Sequence, residues 1–530
     1  MRFSVAHWLP DTSQPVMDST TGGILAAAAA TAPDKAALIY AAAAGPSATW
    51  TYAELYARAR VCAAGLLGRF PPGSPIAIWA ASCAEWVVVE FAAGLAGLKL
   101  VTVNPAFGPR EARHVLSDSG AVGLIYSERY RGNDIAVFVE QLRPSLPALR
   151  DTLPISRLGE LTGDTTAQLP EVDAGDAALV LYTSGTTGVP KGVVLSHRGI
   201  TNNARLCAHR AEFDGGVWLN PMPLFHVGGC VSAVLGPVWT CGTQVLLEAF
   251  EPELALRMIE QTKADVMSSV PAMALALLQH PQFEPGRISC LRTILSGGSP
   301  VPEDLCHKIE YALGCRFSIV YGQTELSSVV CQIRPDDSEH DKATSIGQPL
   351  PQVECRVVDP ATERTVGIGE VGELCARGYQ SMLGYVGHSG SMPNVDDAGW
   401  VHTGDLASMD ERGYFSVRGR LRELIIRGGE NIWPREIEDV LRTHPAVADV
   451  AVVGIPDARL GEVVAAAICP APGTKPVAGE LCSLCRAQLA AYKTPARWFV
   501  LDEFPVTAAG KVRKFVIRDD IVAGKLAELG

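Results

Sequence analysis

The sequence predicts an α/β protein. A large N-terminal domain, residues 1–420, consists of stacked α/β subdomains followed by a β-rich subdomain, and a small α+β C-terminal domain spans residues 421–530. Three observations carry this reading. Alanine-rich helical segments alternate with short β-branched runs from the start of the chain, which is the α/β signature. Those runs end in small or polar residues and are apolar on consecutive positions, as strands covered on both faces require. From about Thr344 the pattern changes to strands separated by Gly-rich turns, and after Arg420 it changes again to strand, loop, helix, strand, turn, strand.

In order along the chain, TYAELYARARVCAAGLLGRF reads as helix, PIAIWA as strand, AEWVVVEFAAGLAGLK as helix and LVTVNP as strand. The stretch from Trp86 to Val103 is the longest apolar one, but it contains Glu90 and Lys99 and turns β-branched at Val101. It is therefore a buried helix running into a strand rather than a membrane span. AVGLIY, ALVLYTS, TQVLLE, ADVMSSV, RTILSGG and SIVYG continue the strand series, and GQPLPQVECRVVDP, GEVGELCARG and GYFSVRGR form the β-rich part. The run Ala26–Ala30 is a helix former, and residues 471–479, with Pro, Gly and Lys, are a surface loop.

At 530 residues, with 48% hydrophobic and 19% charged residues, the chain has ample material for a core and none of the composition of a disordered protein. A net charge of −12 gives no general attraction to nucleic acid or anionic lipid, so neither is expected as a partner. The fourteen cysteines follow no framework spacing and read as reduced, mostly buried thiols. Cys482 and Cys485 fit one face of a helix at i and i+3 better than a metal half-site. MRFSVAHWLP lacks the three-part pattern of a secretory signal, so a cytoplasmic protein without membrane insertion is expected.

The segment Tyr182-Thr-Ser-Gly-Thr-Thr-Gly-Val-Pro-Lys-Gly192 is the most informative. Glycines let backbone N–H groups approach an anion, hydroxyls donate further bonds, and Lys191 supplies charge, so the segment suits phosphate oxygens. It is not the nucleotide loop of P-loop ATPases, which needs Gly-Lys-Ser/Thr, whereas Pro190 and Gly192 flank Lys191 here.

YTSGTTGVPKG resembles the phosphate-loop signature of the adenylate-forming superfamily, which includes acyl-CoA synthetases, luciferases and peptide-synthetase adenylation domains. Further motifs agree in order: SGGSPVP at 296–302 resembles the adenine-contacting loop and YGQTELS at 321–327 the aromatic-Gly-x-Thr-Glu motif. GWVHTGDL at 399–406 resembles the ribose motif, VRGRLRELIIRGGENIWPREIE at 417–438 the hinge and CoA-side loop, and PVTAAGKVRK at 505–514 the C-terminal lysine motif. The resemblance runs from about Ile24 to Arg518 and points to the acyl-CoA synthetase branch. It implies an ATP-, Mg²⁺- and CoA-dependent acid–thiol ligase that makes an acyl-adenylate, releases pyrophosphate and transfers the acyl group to CoA. It also implies that the C-terminal domain is mobile.

Carried over residue by residue, the resemblance assigns nucleotide contacts to Thr183, Ser184, Gly185, Thr186, Thr187, Lys191, Gly297, Gly298, Ser299, Tyr321, Gly322, Gln323, Asp405 and Arg420. Lys511 would meet the carboxylate and α-phosphate, Thr324 the α-phosphate, and Glu325, with Thr183, would hold Mg²⁺, a hard cation that takes oxygen donors. Arg422 stands at the hinge, where relatives carry Asp or Lys. Gly428 and Gly429 would leave room for a pantetheine arm. His226 falls at the acyl pocket together with Phe225, and beside it Gly228, Gly229 and Cys230 are small, which suggests a roomy acid site. Taken singly, Asp405 would be a cap, Lys511 a solvated lysine and Glu325 a first-turn carboxylate; their order with the other motifs selects the functional reading.

The predicted pocket segments contain no clear fixed charge except Glu325, so an apolar acid is expected: medium or long chain, aryl, or bulky polycyclic such as a terpenoid. No acidic residue occupies the predicted amine pocket, which disfavours an amino acid. With no fused carrier domain in the sequence, CoA is the expected acceptor. The alternative is a stand-alone adenylating enzyme loading a separate carrier protein. A luciferase-type oxygenase would use the same adenylate, and a catalytically dead nucleotide binder would not need Lys191, Glu325, Asp405, Arg420 and Lys511 together. The acid itself stays open, as does a homodimeric against a monomeric state.

Overall fold

The computed structural model describes residues 3–529, apart from 162, 165, 167, 184–189, 299–300, 302, 389–391, 393, 428–429, 458 and 507–511, and apart from the side chains of 303, 304 and 431. The chain has the expected mixed α/β architecture, with a large N-terminal domain and a smaller C-terminal one.

Two mainly parallel sheets form the body of the N-terminal domain. The seven-stranded sheet orders Gly384–Tyr385, Lys191–Ser196, Ala177–Thr183, Lys99–Val103, Pro75–Trp79, Gly123–Tyr126 and Asp151–Pro154. The nine-stranded sheet is parallel through Arg316–Tyr321, Thr293–Gly297, Val266–Ser269, Val217–Asn220, Thr243–Leu247 and Ala36–Ala42, with antiparallel strands at both edges. The apolar runs behave as their composition demands, since Ile76, Ala77, Ile78 and Trp79 are at most 1% exposed. One core cluster contains Ile76 and Leu100 of the first sheet, Leu38 and Leu246 of the second, and the helices between them, so the two sheets are stacked on shared side chains.

Helix formation follows local signals. Tyr52–Leu67 starts with a reciprocal capping box between Thr51 and Glu54, which satisfies two otherwise orphaned N–H groups. Ala84–Ala96 is buried on nearly every side and stops at Gly97, whose φ of +64° suits glycine. Glu90, which argued against a membrane span, is fully buried here, and burial pushes its carboxyl well above the usual range, so it is held as the neutral acid. Among the described residues no helix is long and apolar enough to cross a membrane.

A five-stranded sheet of His7–Trp8, Val353–Val358, Gly372–Gly378, Val401–Met409 and Phe415–Arg420 forms the β-rich part. It ends at Arg420, and Ile425–Arg427 begins a six-stranded sheet in the C-terminal domain. There the helix Ala478–Gln488 carries both Cys482 and Cys485. Cys485 is buried and Cys482 packs beside it in the same core cluster, so the pair is a helix face.

Candidate active site

The sequence motifs converge where strands of the two parallel sheets end. Thr183, Gly297 and Tyr321 are the last residues of Ala177–Thr183, Thr293–Gly297 and Arg316–Tyr321, and the carboxyl ends of parallel strands are where open α/β sheets bind ligands. The five-stranded sheet presents Asp405 and Arg420 to the same place, since Asp405 pairs with Arg420 in register and accepts a 2.7 Å hydrogen bond from the Tyr321 hydroxyl.

Around Asp405 the geometry is tightly specified. The same oxygen accepts from Gln323 Nε2 at 2.8 Å, and Arg420 Nε lies 3.0 Å from the other oxygen. Asp405 is 4% exposed, so a neutralising cation and two neutral donors surround a buried carboxylate, as burial of charge requires. Burial, and after it the Asp405 carboxylate, pushes the Tyr321 phenol well above its ordinary pKa, so it remains a donor. Behind the Asp405 turn, Gly404 N–H donates to Glu373 Oε1 at 2.9 Å and His402 Nδ1 lies 2.8 Å from Glu373 Oε2. Cys375 Sγ is 3.5 Å from the same ring nitrogen. These three donor types form an internal network that fixes the backbone before Asp405.

The Tyr321–Ser328 segment folds back on itself. A Cβ at Gly322 would fall 1.5 Å from the Ser328 carbonyl oxygen, and one at Gly297 would fall 2.3 Å from that of Val320, so both glycines serve close backbone approach. Asn203, buried in the helix His197–Arg210, bonds both the N–H and the C=O of Val329 and holds this fold in place. Gly322→Ala is therefore expected to lower acid-dependent ATP–pyrophosphate exchange by about 10- to 100-fold through local overpacking. Wild-type exchange in that variant would show that the close approach is dispensable.

Lys191 begins the strand Lys191–Ser196, antiparallel to Ala177–Thr183, with Thr183 opposite Lys191. The described strands on either side of residues 184–189 are thus antiparallel neighbours, whereas the P-loop of ATPases lies between a strand and a helix. Lys191 Nζ stands over the Tyr385 ring, 5.4 Å from its centroid, and the Tyr385 hydroxyl donates to Glu325 Oε1 at 3.1 Å. Thr324 and Glu325 open a short 3₁₀ turn, Thr324–Leu326. The structure therefore gathers Thr183, Lys191, Thr324 and Glu325 beside the Asp405 cluster.

The His226 loop bridges the two parallel sheets. Phe225 C=O accepts from Thr102 Oγ1 at 3.3 Å and Leu224 N–H donates to Ser82 Oγ at 3.3 Å, while the preceding strand Val217–Asn220 belongs to the nine-stranded sheet. The Phe225 and His226 rings pack at 4.5 Å. A π-helical stretch, Gly228–Leu235, follows. The small residues expected at the acid site have close neighbours: a Cβ at Gly229 would lie 2.2 Å from the Pro223 carbonyl oxygen, and Cys230 is 0% exposed in the apolar core. Their small size serves packing against the loop and core, and only Gly228 has moderate clearance, with Met222 Cε 3.7 Å away.

Arg422 is exposed, and partial desolvation of its guanidinium, together with the neighbouring Arg420, lowers its pKa. Gly298 sits at φ +79° directly after the Thr293–Gly297 strand. Ser184, Gly185, Thr186, Thr187, Ser299, Gly428, Gly429 and Lys511 lie outside the described residues. Sequence reasoning missed Tyr385, Glu373 and His402. Only pairing with Val193, far away in sequence, distinguishes Tyr385 from other aromatics, whereas His402 lies inside the recognised motif GWVHTGDL and Glu373 in the strand-like GEVGELCARG, which were usable signals.

The family model described as AMP-binding enzyme matches residues 25–386, and that described as AMP-binding enzyme C-terminal domain matches residues 436–511. The chain belongs to the AMP-binding enzyme family. It is 37% identical to a putative acyl-CoA synthetase, YngI, of Bacillus subtilis over 96% of this chain and 98% of that protein. It is 30% identical to the medium-chain acyl-CoA ligase ACSF2 of Macaca fascicularis over 96% and 88%. The solved structure of the o-succinylbenzoate CoA synthetase MenE of Bacillus subtilis, in complex with ATP and magnesium ion, superposes with a TM-score of 0.81 at 30% identity, covering 94% of this chain and 99% of that one. The chain is accordingly an AMP-forming acyl-CoA synthetase.

Proposed function

We propose that this synthetase activates an apolar carboxylic acid, of medium or long chain, aryl or bulky polycyclic class, and that the residues gathered above carry the reaction. The observation that carries the assignment of the site is the convergence of Asp405, held by Tyr321, Gln323 and Arg420, with the Lys191–Tyr385–Glu325 group. In this reading Asp405 accepts the ribose hydroxyls, Tyr321 flanks the adenine, and Lys191 faces the phosphates. The acid lies on the His226 side, against Phe225 and Gly228, and the absence of a cation there among the motif residues favours an apolar acyl group. The name of ACSF2 supports the medium-chain end of that range.

In the first half-reaction a carboxylate oxygen attacks the α-phosphorus and pyrophosphate leaves. Lys511 offsets the charge of the two anions brought together and of the developing pentavalent centre. Glu325 fits a divalent cation: its carboxylate is half-buried, one oxygen takes the Tyr385 hydroxyl, and it forms no ion pair among the described residues. Mg²⁺ held there would neutralise phosphate charge as pyrophosphate departs. In the second half-reaction the CoA thiol sulfur attacks the acyl carbon and AMP leaves. We assign 1–420 and 421–530 as the units that rotate about Arg422 between the two steps, taking Lys511 out and bringing Gly428 and Gly429 in.

The test is acid-dependent AMP and pyrophosphate release over fatty, aryl, polycyclic and dicarboxylic acids, with and without CoA. Thioester formed from apolar acids only with ATP, Mg²⁺ and CoA is expected. Pyrophosphate release without a CoA product would move the acceptor to a carrier protein, and preference for a dicarboxylate would overturn the apolar class. Gly428→Leu is expected to raise the apparent KM for CoA about 10-fold or more, a cost of steric exclusion near 1.4 kcal/mol, while leaving adenylate formation intact. Unchanged CoA kinetics would contradict the tunnel assignment.

A further inference from the structure

Tyr385 lies outside every recognised motif, yet it connects the two groups expected to meet the triphosphate. Its short strand Gly384–Tyr385 pairs with Lys191–Ser196, placing Val193 opposite Tyr385. Val386 N–H donates to Gly192 C=O and Leu383 N–H to Val194 C=O, both at 2.8 Å. Gly192 leaves no room for a side chain, since a Cβ would lie 2.7 Å from Val386 Cγ2 and 2.8 Å from Tyr182 Cζ. The Tyr385 ring, 8% exposed, is therefore clamped to the strand that Lys191 begins.

The same segment grips Glu325 twice. Met382 N–H donates to the Glu325 carbonyl at 2.9 Å, and the Tyr385 hydroxyl donates to Glu325 Oε1 at 3.1 Å. A carboxylate with one oxygen bonded loses rotational freedom about its last torsion and presents the other oxygen in a set direction. An ammonium over a phenol face is attracted by the ring quadrupole, so Lys191 is also restrained.

We propose that Tyr385 is a positioning residue for the metal–triphosphate complex: its hydroxyl orients Glu325 toward the divalent cation and its ring face holds the Lys191 ammonium toward the phosphates. This rests on the reading that Glu325 takes Mg²⁺ and Lys191 faces phosphate.

The test is calorimetric ATP binding to the full chain, with Mg²⁺ and with EDTA. Tyr385→Phe keeps the ring and drops the hydroxyl. It is expected to leave metal-free ATP affinity within about twofold of wild type and to cut the Mg²⁺-dependent tightening about 10-fold, the scale of one hydrogen bond to a charged group. Tyr385→Leu is expected also to weaken metal-free binding about 3-fold or more, since a cation–π contact contributes at least that much and more when desolvated. If Glu325→Gln loses the Mg²⁺ increment and Tyr385→Phe retains it, the proposal fails and the Glu325 reading stands. If Glu325→Gln retains it, that reading fails and the proposal with it. Thioester formation from a preformed acyl-adenylate, which involves no triphosphate, is expected to survive Tyr385→Phe. An equal loss in that step would make Tyr385 merely structural and overturn the proposal.

Discussion

Lys511→Ala is expected to depress acid-dependent ATP–pyrophosphate exchange by about 10²- to 10³-fold while leaving thioester formation from a preformed acyl-adenylate within about twofold of wild type. The asymmetry follows from charge. Adenylation brings a carboxylate against a triphosphate, and a single ammonium at that junction is stronger in the transition state than with the separated reactants. Thiolysis starts from an adenylate whose carboxylate is already esterified, so that cation has little left to offset. Single-turnover measurements of each half-reaction check this, and equal losses in both would remove Lys511 from its assigned role.

Asp405→Asn is expected to reduce kcat/KM for ATP by about 10²- to 10³-fold. The amide has one acceptor oxygen where the carboxylate offers two, so Tyr321, Gln323 and Arg420 compete for it, and a neutral group leaves the Arg420 guanidinium without its counter-charge. The decisive readout is ribose discrimination. Wild type should prefer ATP to its 2′- and 3′-deoxy analogues, and the variant should lose most of that preference, because in the proposed reading the carboxylate accepts the hydroxyls and the amide's single oxygen is taken by the protein's own donors. A variant that keeps wild-type discrimination with lower overall rates would make Asp405 a structural carboxylate, with its donors organising the turn for its own sake.

Much of this site was legible before folding was considered, and the residues show why. Gly297, Gly322, Gln323, Glu325, Asp405 and Arg420 sit in short contiguous motifs, each of which forms its own turn or strand end with local hydrogen bonds, such as Asp405 N–H to Thr403 Oγ1 at 3.1 Å. Chemistry encoded within a few residues survives reading in one dimension. The small residues after His226 show the limit. In one dimension Gly229 and Cys230 suggest space, whereas the place of a Gly229 side chain is filled by a backbone carbonyl and Cys230 packs into the core. Smallness is a property of sequence, whereas a void depends on what stands opposite.

By itself the sequence determined the α/β class, the buried character of Ala84–Ala96, the distinct pattern after Arg420 and the order of the nucleotide motifs, because periodicity, caps and turn residues act over a few positions. Three relations came from tertiary structure alone: Lys191–Ser196 pairs antiparallel with Ala177–Thr183, His7–Trp8 pairs with Val353–Val358 at the far end of the N-terminal domain, and Tyr385 joins Lys191 to Glu325. Those relations depend on which distant strands share an edge, and strand pairing is set by the collective burial of both sheet faces rather than by any local propensity.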